Sequence, residues 1–333
     1  MALITFSSSG LYCAQGNFYI DPWKPVDSAI ITHAHSDHAR PGNKKYLCTH
    51  DTKPLLKLRL GEDINMESYN FNEPVFINGV KISLHPAGHI IGSAQVRIEY
   101  KGEIWVFTGD FKTENDGISG KFEPVRCHNF ITESTFALPI YKWEKQEIIY
   151  NNLFQWVLKN NSEGFCSIIF AYSLGKAQRV LIPLSKTGIK IFGHGAVCNV
   201  NETLINSGHN LPAITRISSE TKKEDLKSSI VIAPTSAENT SWLKKFQPYK
   251  KAVCSGWMQV RGNVRRRNAD AGFVLSDHAD WPGLLEAINA TGAQKVFTTH
   301  GFKSVLTKYL NEKGLFSAEV KTSFSDDEEG KEE

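Results

Sequence analysis

Apolar and polar positions divide the chain into short strand-like runs and longer helix-like ones. Residues 2–21 alternate and break at Ser7-Ser8-Ser9-Gly10 and at Gly16-Asn17, which predicts two strands joined by a turn. Asp21-Pro22 ends the pair and reads as a turn. The apolar pair Ile30-Ile31 then runs into a polar stretch rich in histidine. A helix is expected over 51–60, capped by Asp51 or Thr52 and stopped by Gly61. Strands follow over 74–84, with Asn78-Gly79 as the hairpin turn, and over 94–100 and 103–108, joined at Lys101-Gly102. Residues 129–136 read as another strand. Ile148, Ile149, Leu153, Trp156 and Val157 share one face of a helix expected over 143–159. Residues 165–256 keep alternating strand and helix, which suits a small α/β domain inserted into the first. A strand from Phe273 ending at His278, a helix over 282–290, a strand over 295–299 and a helix over 303–313 complete the pattern.

At 333 residues the chain is long enough for two domains and a large core. With 41% apolar and 22% charged residues it has the composition of a globular protein. No apolar run reaches the roughly 18–20 residues that span a bilayer. The first residues lack a basic n-region and a long apolar stretch, so a secretory signal is not expected. Six scattered cysteines form no C-x-x-C pair and are expected to be reduced, mostly buried thiols of a cytoplasmic protein. The net charge of +3 is unevenly spread. Residues 325–333 hold six acids and one lysine, a net −5 that leaves +8 on the body. A basic body suits a polyanionic partner. The acidic tail, 326–333, is expected to be disordered.

The chemistry gathers in a few places. Thr32-His33-Ala34-His35-Ser36-Asp37-His38 puts three histidines and an aspartate within six positions, out of eleven histidines in the chain. Imidazole and carboxylate are the ligands that zinc-class divalent ions prefer. In an extended segment His33 and His35 share a face and can grip one ion. Asp37 and His38 lie where the chain must turn and can reach a second. Glycines on both sides let a tight loop present His89. Gly109-Asp110 ends a strand, where a carboxylate can bridge two ions. Glu133 also ends a strand, but by itself reads as a capping or surface acid. His278 and His300 each stand at the end of a late strand, where the sites of α/β proteins collect. Arg261, Arg265, Arg266 and Arg267 put four guanidinium groups in seven positions, suited to paired contacts with phosphate oxygens. Lys176 and Trp257 are further candidates for a nucleic-acid groove, although Trp257 reads more readily as core.

In this order the motifs resemble those of the metallo-β-lactamase fold, and within it the β-CASP nuclease group. The pattern is H-x-H-x-D-H, a glycine-flanked histidine, a Gly-Asp, an acid after a strand, an insert and two late histidines, spanning about residues 10–305. Ala171-Tyr172-Ser173-Leu174-Gly175-Lys176-Ala177-Gln178 resembles the strand-turn-helix that opens the group's insert. Within the group, Tyr19-Ile20-Asp21-Pro22-Trp23, the phrase from Thr32 to Ala39, Leu275-Ser276-Asp277-His278-Ala279-Asp280-Trp281 and an insert of roughly 130 residues are most similar to bacterial DNA-ligase-associated exonucleases.

The resemblance implies a metallo-β-lactamase αββα sandwich formed by 1–137 and 270–325, with a small β-CASP-like α/β domain inserted at 138–269. It implies two divalent metal ions, zinc or manganese. His33, His35 and His89 would hold one, Asp37, His38 and His300 the other, and Asp110 would bridge them. Glu133 would orient His278, which would protonate the leaving oxygen after hydroxide attack at the two-metal centre. The expected activity is phosphodiester hydrolysis of DNA ends or single strands in DNA repair, in association with an ATP-dependent DNA ligase and a helicase. An RNA-processing nuclease is the alternative on the same scaffold. A small-ester metallohydrolase is opposed by the insert and the Glu133–His278 pair, and an inactive scaffold by the full set of ligand types. His85 is expected to be structural, and His50, His128, His194 and His209 have no assigned role.

Overall fold

A computed structural model describes residues 2–320, so the acidic tail lies outside the described residues. The protein is mixed α/β, and its strands form three sheets among the described residues. The described residues divide into two compact units, one made of 2–142 and 278–320, the other of Trp143–Asp277.

The first unit begins with β1 (Ile4–Ser7), β2 (Gly10–Cys13), β3 (Phe18–Ile20), β4 (Ala29–Ile30), β5 (Tyr46–Thr49), helix α1 (Thr52–Leu60) and β6 (Met66–Tyr69). These six strands form one sheet in chain order. The segment 2–21 therefore holds three strands rather than two, because Gly16-Asn17 is itself a tight turn, with Asn17 at positive φ. β7 (Val75–Ile77), β8 (Val80–Pro86), β9 (Ala94–Tyr100), β10 (Glu103–Phe107) and β11 (Asn129–Glu133) start the second sheet. The β7–β8 turn at Asn78-Gly79 has both residues at positive φ, as a two-residue hairpin requires.

The second unit contributes α2 (Gln146–Ser162), β12 (Cys166–Phe170), α3 (Lys176–Ser185), β13 (Ile191–Gly193), α4 (Gly195–Asn206), β14 (Thr215–Arg216), α5 (Lys223–Leu226), β15 (Ile230–Ala233), β16 (Tyr249–Cys254), α6 (Arg261–Arg266) and β17 (Ala271–Phe273). Its sheet runs β14-β13-β15-β12-β16-β17, and every pairing in it is parallel. Parallel sheets are covered on both faces, which is why β15 is a continuous apolar run and β12 is apolar but for the buried Ser167. On one face Ile169, Ile230 and Ile232 pack with Leu153, Val180 and Leu184 of α2 and α3; on the other, Phe170, Val231 and Val253 pack with Leu243, Phe246 and Met258. The second unit ends eight residues later than the 138–269 expected from sequence. Residues 271–273 form β17 beside β16, in parallel register Ala252↔Ala271. The strand expected to end at His278 is thus part of the second unit's sheet, and it stops at Phe273.

The chain returns to the first unit as α7 (Trp281–Thr291), β18 (Lys295–Thr299), α8 (Lys303–Glu312) and β19 (Phe316–Glu319). Asp280 caps α7 by accepting from the Gly283 amide, Pro282 suits its first turn, and Gly292 ends it in the left-handed conformation. The second sheet runs β19-β18-β11-β10-β9-β8-β7. The two sheets of this unit share one apolar core, including Leu11, Phe18 and Ile30 from the first and Val96, Phe107 and Ile131 from the second. Alternate residues of the second sheet, Val106, Phe130 and Val296, turn away to pack with Leu284 and Ile288 of α7 and Leu306 of α8.

This topology gathers the polar residues at one end. β10, β11 and β18 are neighbours and parallel, with Glu133 opposite Thr299. Asp110, Glu133 and His300 therefore leave the same edge of the sheet. Gly109 makes the turn into Asp110 at φ +56°, and a Cβ there would lie 2.7 Å from the Thr32 side chain. No helix among the described residues is long and apolar enough to cross a membrane. All six cysteines are buried and unpaired.

Candidate metal centre

The segment expected to be extended is a loop. The β4 strand stops at Ile30, and residues 35–39 bend and turn. That turn lets one short stretch supply several directions. His33, His35, His89 and Asp110 each bring a ligand atom within 4.8 Å of the others. His33, Asp37 and His38 form a second such group, His38, Asp110 and His300 a third, and Asp110, Glu133 and His278 a fourth. Asp110 joins three of the four. Its Oδ2 lies 3.5 Å from His33 Nε2, 3.4 Å from His38 Nε2 and 3.8 Å from His89 Nε2. Asp37 Oδ2 is 3.2 Å from His38 Nε2.

The protein fixes which nitrogen faces the centre. Thr32 Oγ1 lies 3.0 Å from His33 Nδ1, and Asp21 Oδ2 lies 2.7 Å from His38 Nδ1. Thr299 Oγ1 lies 2.8 Å from His300 Nδ1. With Nδ1 engaged in all three rings, Nε2 is the nitrogen each can offer an ion. The loop that carries His89 is pinned by Ser93, whose hydroxyl accepts from the amides of His89 and Ile90.

Asp21 is the residue that sequence reading missed. It is not a surface turn residue but a fully buried carboxylate. It accepts from the Thr32 amide (2.8 Å) and hydroxyl (2.6 Å) as well as bonding His38. One carboxylate thus positions His38 directly and His33 through Thr32. The only local signal was an acid at a strand end, and Asp-Pro favours the turn reading.

The electrostatics fit a cation. Burial holds the His33 imidazole well below its ordinary range, and the neighbouring His38 adds to this. Burial also lowers His300, to about 4. Both are neutral at pH 7, the form that binds metal. His38 differs: burial opposes its charge, but Asp37, Asp110 and Asp21 together raise it well above the usual value. Asp110 and Asp37 are themselves held low, because His38 outweighs the cost of burying them. His33 Nε2 and Asp110 Oδ1 are buried with no hydrogen-bond partner among the described residues. An orphaned buried group costs about 1–3 kcal/mol, and a divalent ion bound by nitrogen and oxygen would satisfy both. These are buried His/Asp clusters of the kind that binds metal ions.

Glu133 is fully buried at the end of β11. Its carboxylate lies 2.9 and 3.0 Å from His278 Nδ1 and accepts from the Phe111 amide at 2.8 Å and the Thr135 hydroxyl. The surface or capping reading of this acid is therefore set aside.

The basic residues divide. Lys176 is buried, with Nζ 3.1 Å from Asp277, and so is a structural cation rather than an exposed nucleic-acid contact. Arg265 and Arg266 are exposed on α6. Arg267 is half-buried and 3.5 Å from Glu238, and the side chain of Arg261 lies outside what is described. Trp257 is half-buried against the second unit's core. Of the unassigned histidines, His194 caps α4 through Nδ1, His128 accepts from the Ile104 amide, and His50 and His85 bond Ser68 and Ser83.

No family model matches the chain. Among curated proteins it is 28% identical over 311 residues to a "Probable DNA ligase" of Opitutus terrae, a match covering 92% of this chain and 30% of the relative. It is 31% identical over 185 residues to an "RNase J-like protein" of Methanocaldococcus jannaschii, covering 48% of this chain and 43% of the relative. It is 28% identical over 203 residues to "Cleavage and polyadenylation specificity factor subunit 3-I" of Arabidopsis thaliana, covering 50% and 28%. The chain thus spans less than half the length of each of these relatives. A solved structure of a protein of unknown function from Enterococcus faecalis shares the fold, with TM-score 0.59 at 11% identity, over 90% of this chain and 80% of that one. By these relationships the chain is similar to nucleases of the β-CASP group of the metallo-β-lactamase fold.

Proposed function

We propose that the protein is a metal-dependent phosphodiesterase that degrades DNA ends or single strands, as a ligase-associated repair nuclease. The observation that carries this reading is the shared residue Asp110. It belongs both to the clusters suited to metal ions and to the cluster with Glu133 and His278. A metal centre and a proton donor thus meet at one point.

In this reading His33, His35 and His89 would hold one ion and Asp37, His38 and His300 a second, with Asp110 within reach of both. Divalent ions there would activate water at neutral pH and neutralise charge on the phosphate oxygens. The chain's own part is orientation and proton transfer. Asp21 and Thr32 hold His38 and His33 with Nε2 inward. Glu133 accepts from Nδ1 of His278 and holds the ring in place. An imidazolium so held carries its other proton on Nε2, from which it can pass to the departing sugar oxygen. Arg265 and Arg266 are the exposed candidates for backbone contacts.

The two sheets with their common core, and α7 and α8 against the outer side of the second, support an αββα sandwich comprising 2–142 and 278–320. The all-parallel unit 143–277 is then the β-CASP insert. DNA as substrate, and a link to ligation, are supported by a match that takes in 92% of this chain and falls within a protein named as a DNA ligase. RNA is the second reading, supported by relatives named as RNase J-like and as "Endoribonuclease YSH1".

The test is digestion of end-labelled single-stranded DNA and matched RNA by metal-free protein, with zinc or manganese restored and Asp37→Ala as control. DNA loss that requires metal and fails in the variant is the expected result. RNA cleavage alone would move the protein to RNA processing. Cleavage of neither by metal-loaded protein would overturn the nuclease reading.

A further inference from the structure

His300 differs from the other histidines of the centre in its backbone. Its φ is +52°, in the left-handed region that residues other than glycine enter rarely. Such a conformation persists only where the surroundings impose it. Ser134 does so here. The Ser134 hydroxyl, one residue beyond β11, reaches the carbonyl of Thr299 at 2.9 Å and that of His300 as well. The Ser134 carbonyl accepts from the Phe302 amide at 2.8 Å, closing the turn from the other side. Gly301 is pressed so close that a Cβ would lie 2.5 Å from the Ser134 carbonyl oxygen. The Thr299 hydroxyl acts on the ring. It lies 3.2 Å from the Thr132 carbonyl, which can only accept, and 2.8 Å from His300 Nδ1. A hydroxyl has one proton. Once it is given to Thr132, the hydroxyl accepts from Nδ1–H, which leaves the Nε2 lone pair for an ion.

We propose that Ser134 and Thr299 form a clamp that positions His300, and that this clamp sets the affinity of the centre's second ion selectively. Ser134 acts on the backbone and Thr299 on the imidazole tautomer. Thr32 and Ser93 support the first ion's histidines, while Asp21 reaches both Thr32 and His38 and so serves both positions. Ser134 and Thr299 bear on His300, a ligand of the second ion, so the two positions can be uncoupled by substitution there. The proposal rests on the two-ion reading above.

The experiment is zinc titration of metal-free protein by competition with a chromophoric chelator, read as stoichiometry and affinity. Wild type, Thr299→Val, Thr299→Ser and Ser134→Ala are compared, each with a thermal melt in the metal-free state. Removing outer hydrogen-bond partners of a ligand typically weakens metal by about 10- to 100-fold. Thr299→Val keeps the shape and loses the hydroxyl, so its second zinc should weaken by that factor while the first is unchanged. Thr299→Ser should restore wild-type affinity, and Ser134→Ala should act as Thr299→Val does. Nitrogen NMR of the metal-free wild type should find His300 protonated on Nδ1, and Thr299→Val should lose that preference. Two zinc ions bound with unchanged affinity in Thr299→Val and Ser134→Ala would overturn the clamp. Equal weakening of both ions would also overturn it. Wild type binding no zinc or one would instead overturn the two-ion reading.

Discussion

Two buried polar clusters, one in each unit, differ in how completely they are paired. In the second unit Asp277 stands between two cations. Lys176 Nζ is 3.1 Å from one oxygen and Arg179 Nη1 is 2.5 Å from the other, while Arg179 also reaches the Ser276 carbonyl and Gln146. In the first unit, carboxylates and imidazoles crowd around Asp110, yet His33 Nε2 and Asp110 Oδ1 have no hydrogen-bond partner among the described residues. Both clusters are costly to bury. In the first, both carboxylate oxygens of Asp277 meet cations inside the protein and the cluster serves the fold, whereas the second has a donor set that a metal ion would complete. A lysine that looked like a ligand contact in sequence belongs to the first kind, and an aspartate that looked like a turn belongs to the second.

The contrast can be broken most sharply at its centre. Asp110→Ala should reduce both metal binding and cleavage to background, a loss of at least about 10³-fold, measured by metal content and by release of labelled nucleotide. His278→Ala should separate the two readouts. Metal content should stay at the wild-type level while cleavage falls by about 10²–10⁴-fold, the range for a lost general acid.

On the other side of the comparison, Asp277→Ala leaves two buried cations without their carboxylate. Urea melts should show a loss of about 3–5 kcal/mol, the same with metal bound or chelated. Chelation alone should lower the melting temperature of the wild type, since an ion that binds only the folded state stabilises it. A loss in Asp277→Ala that changed when metal was bound or removed would erase the distinction between the clusters.

A smaller effect is expected from Asp21→Asn. It keeps the shape but removes the charge beside His38 Nδ1, and metal affinity should weaken by about 10- to 100-fold in chelator competition. The smallest effect concerns the thiols. Burial pushes Cys48, Cys127 and Cys254 up to about 12. Native protein at pH 8 should leave all six thiols unreacted toward a disulfide reagent, and unfolding should expose six. Because the folded values lie above the unfolded value of about 8.5, the full stability holds below that pH and falls as pH rises toward 12. Urea melts at pH 8 and pH 10 would register the decline.

Much of this site could be read from local sequence. His33, His35, Asp37 and His38 are close together, and the glycines beside His89 and Asp110 mark tight turns. Glu133 was ambiguous by itself, because its partner His278 lies 145 positions away. Asp21 was misread because its partners, Thr32 and His38, are 11 and 17 positions off and nothing local requires the pairing. Lys176 was misread because charge in a sequence does not reveal burial. The end of the second unit moved from 269 to 277 because β17 pairs with β16, a choice made by the sheet.

By itself the sequence determined the local pieces: where periodicity makes strand or helix, where glycine allows a turn, and which residues carry ligand chemistry. These depend on neighbours a few positions apart, whose spacing directly sets direction. The tertiary structure decided which strand ends meet. Parallel pairing of β10, β11 and β18 brings Asp110, Glu133 and His300 to one edge across more than 160 positions of chain. It also decided which buried charges pair with one another and which gather into clusters suited to a metal ion. Register and burial are properties of the whole packed core, and no single stretch of chain contains them.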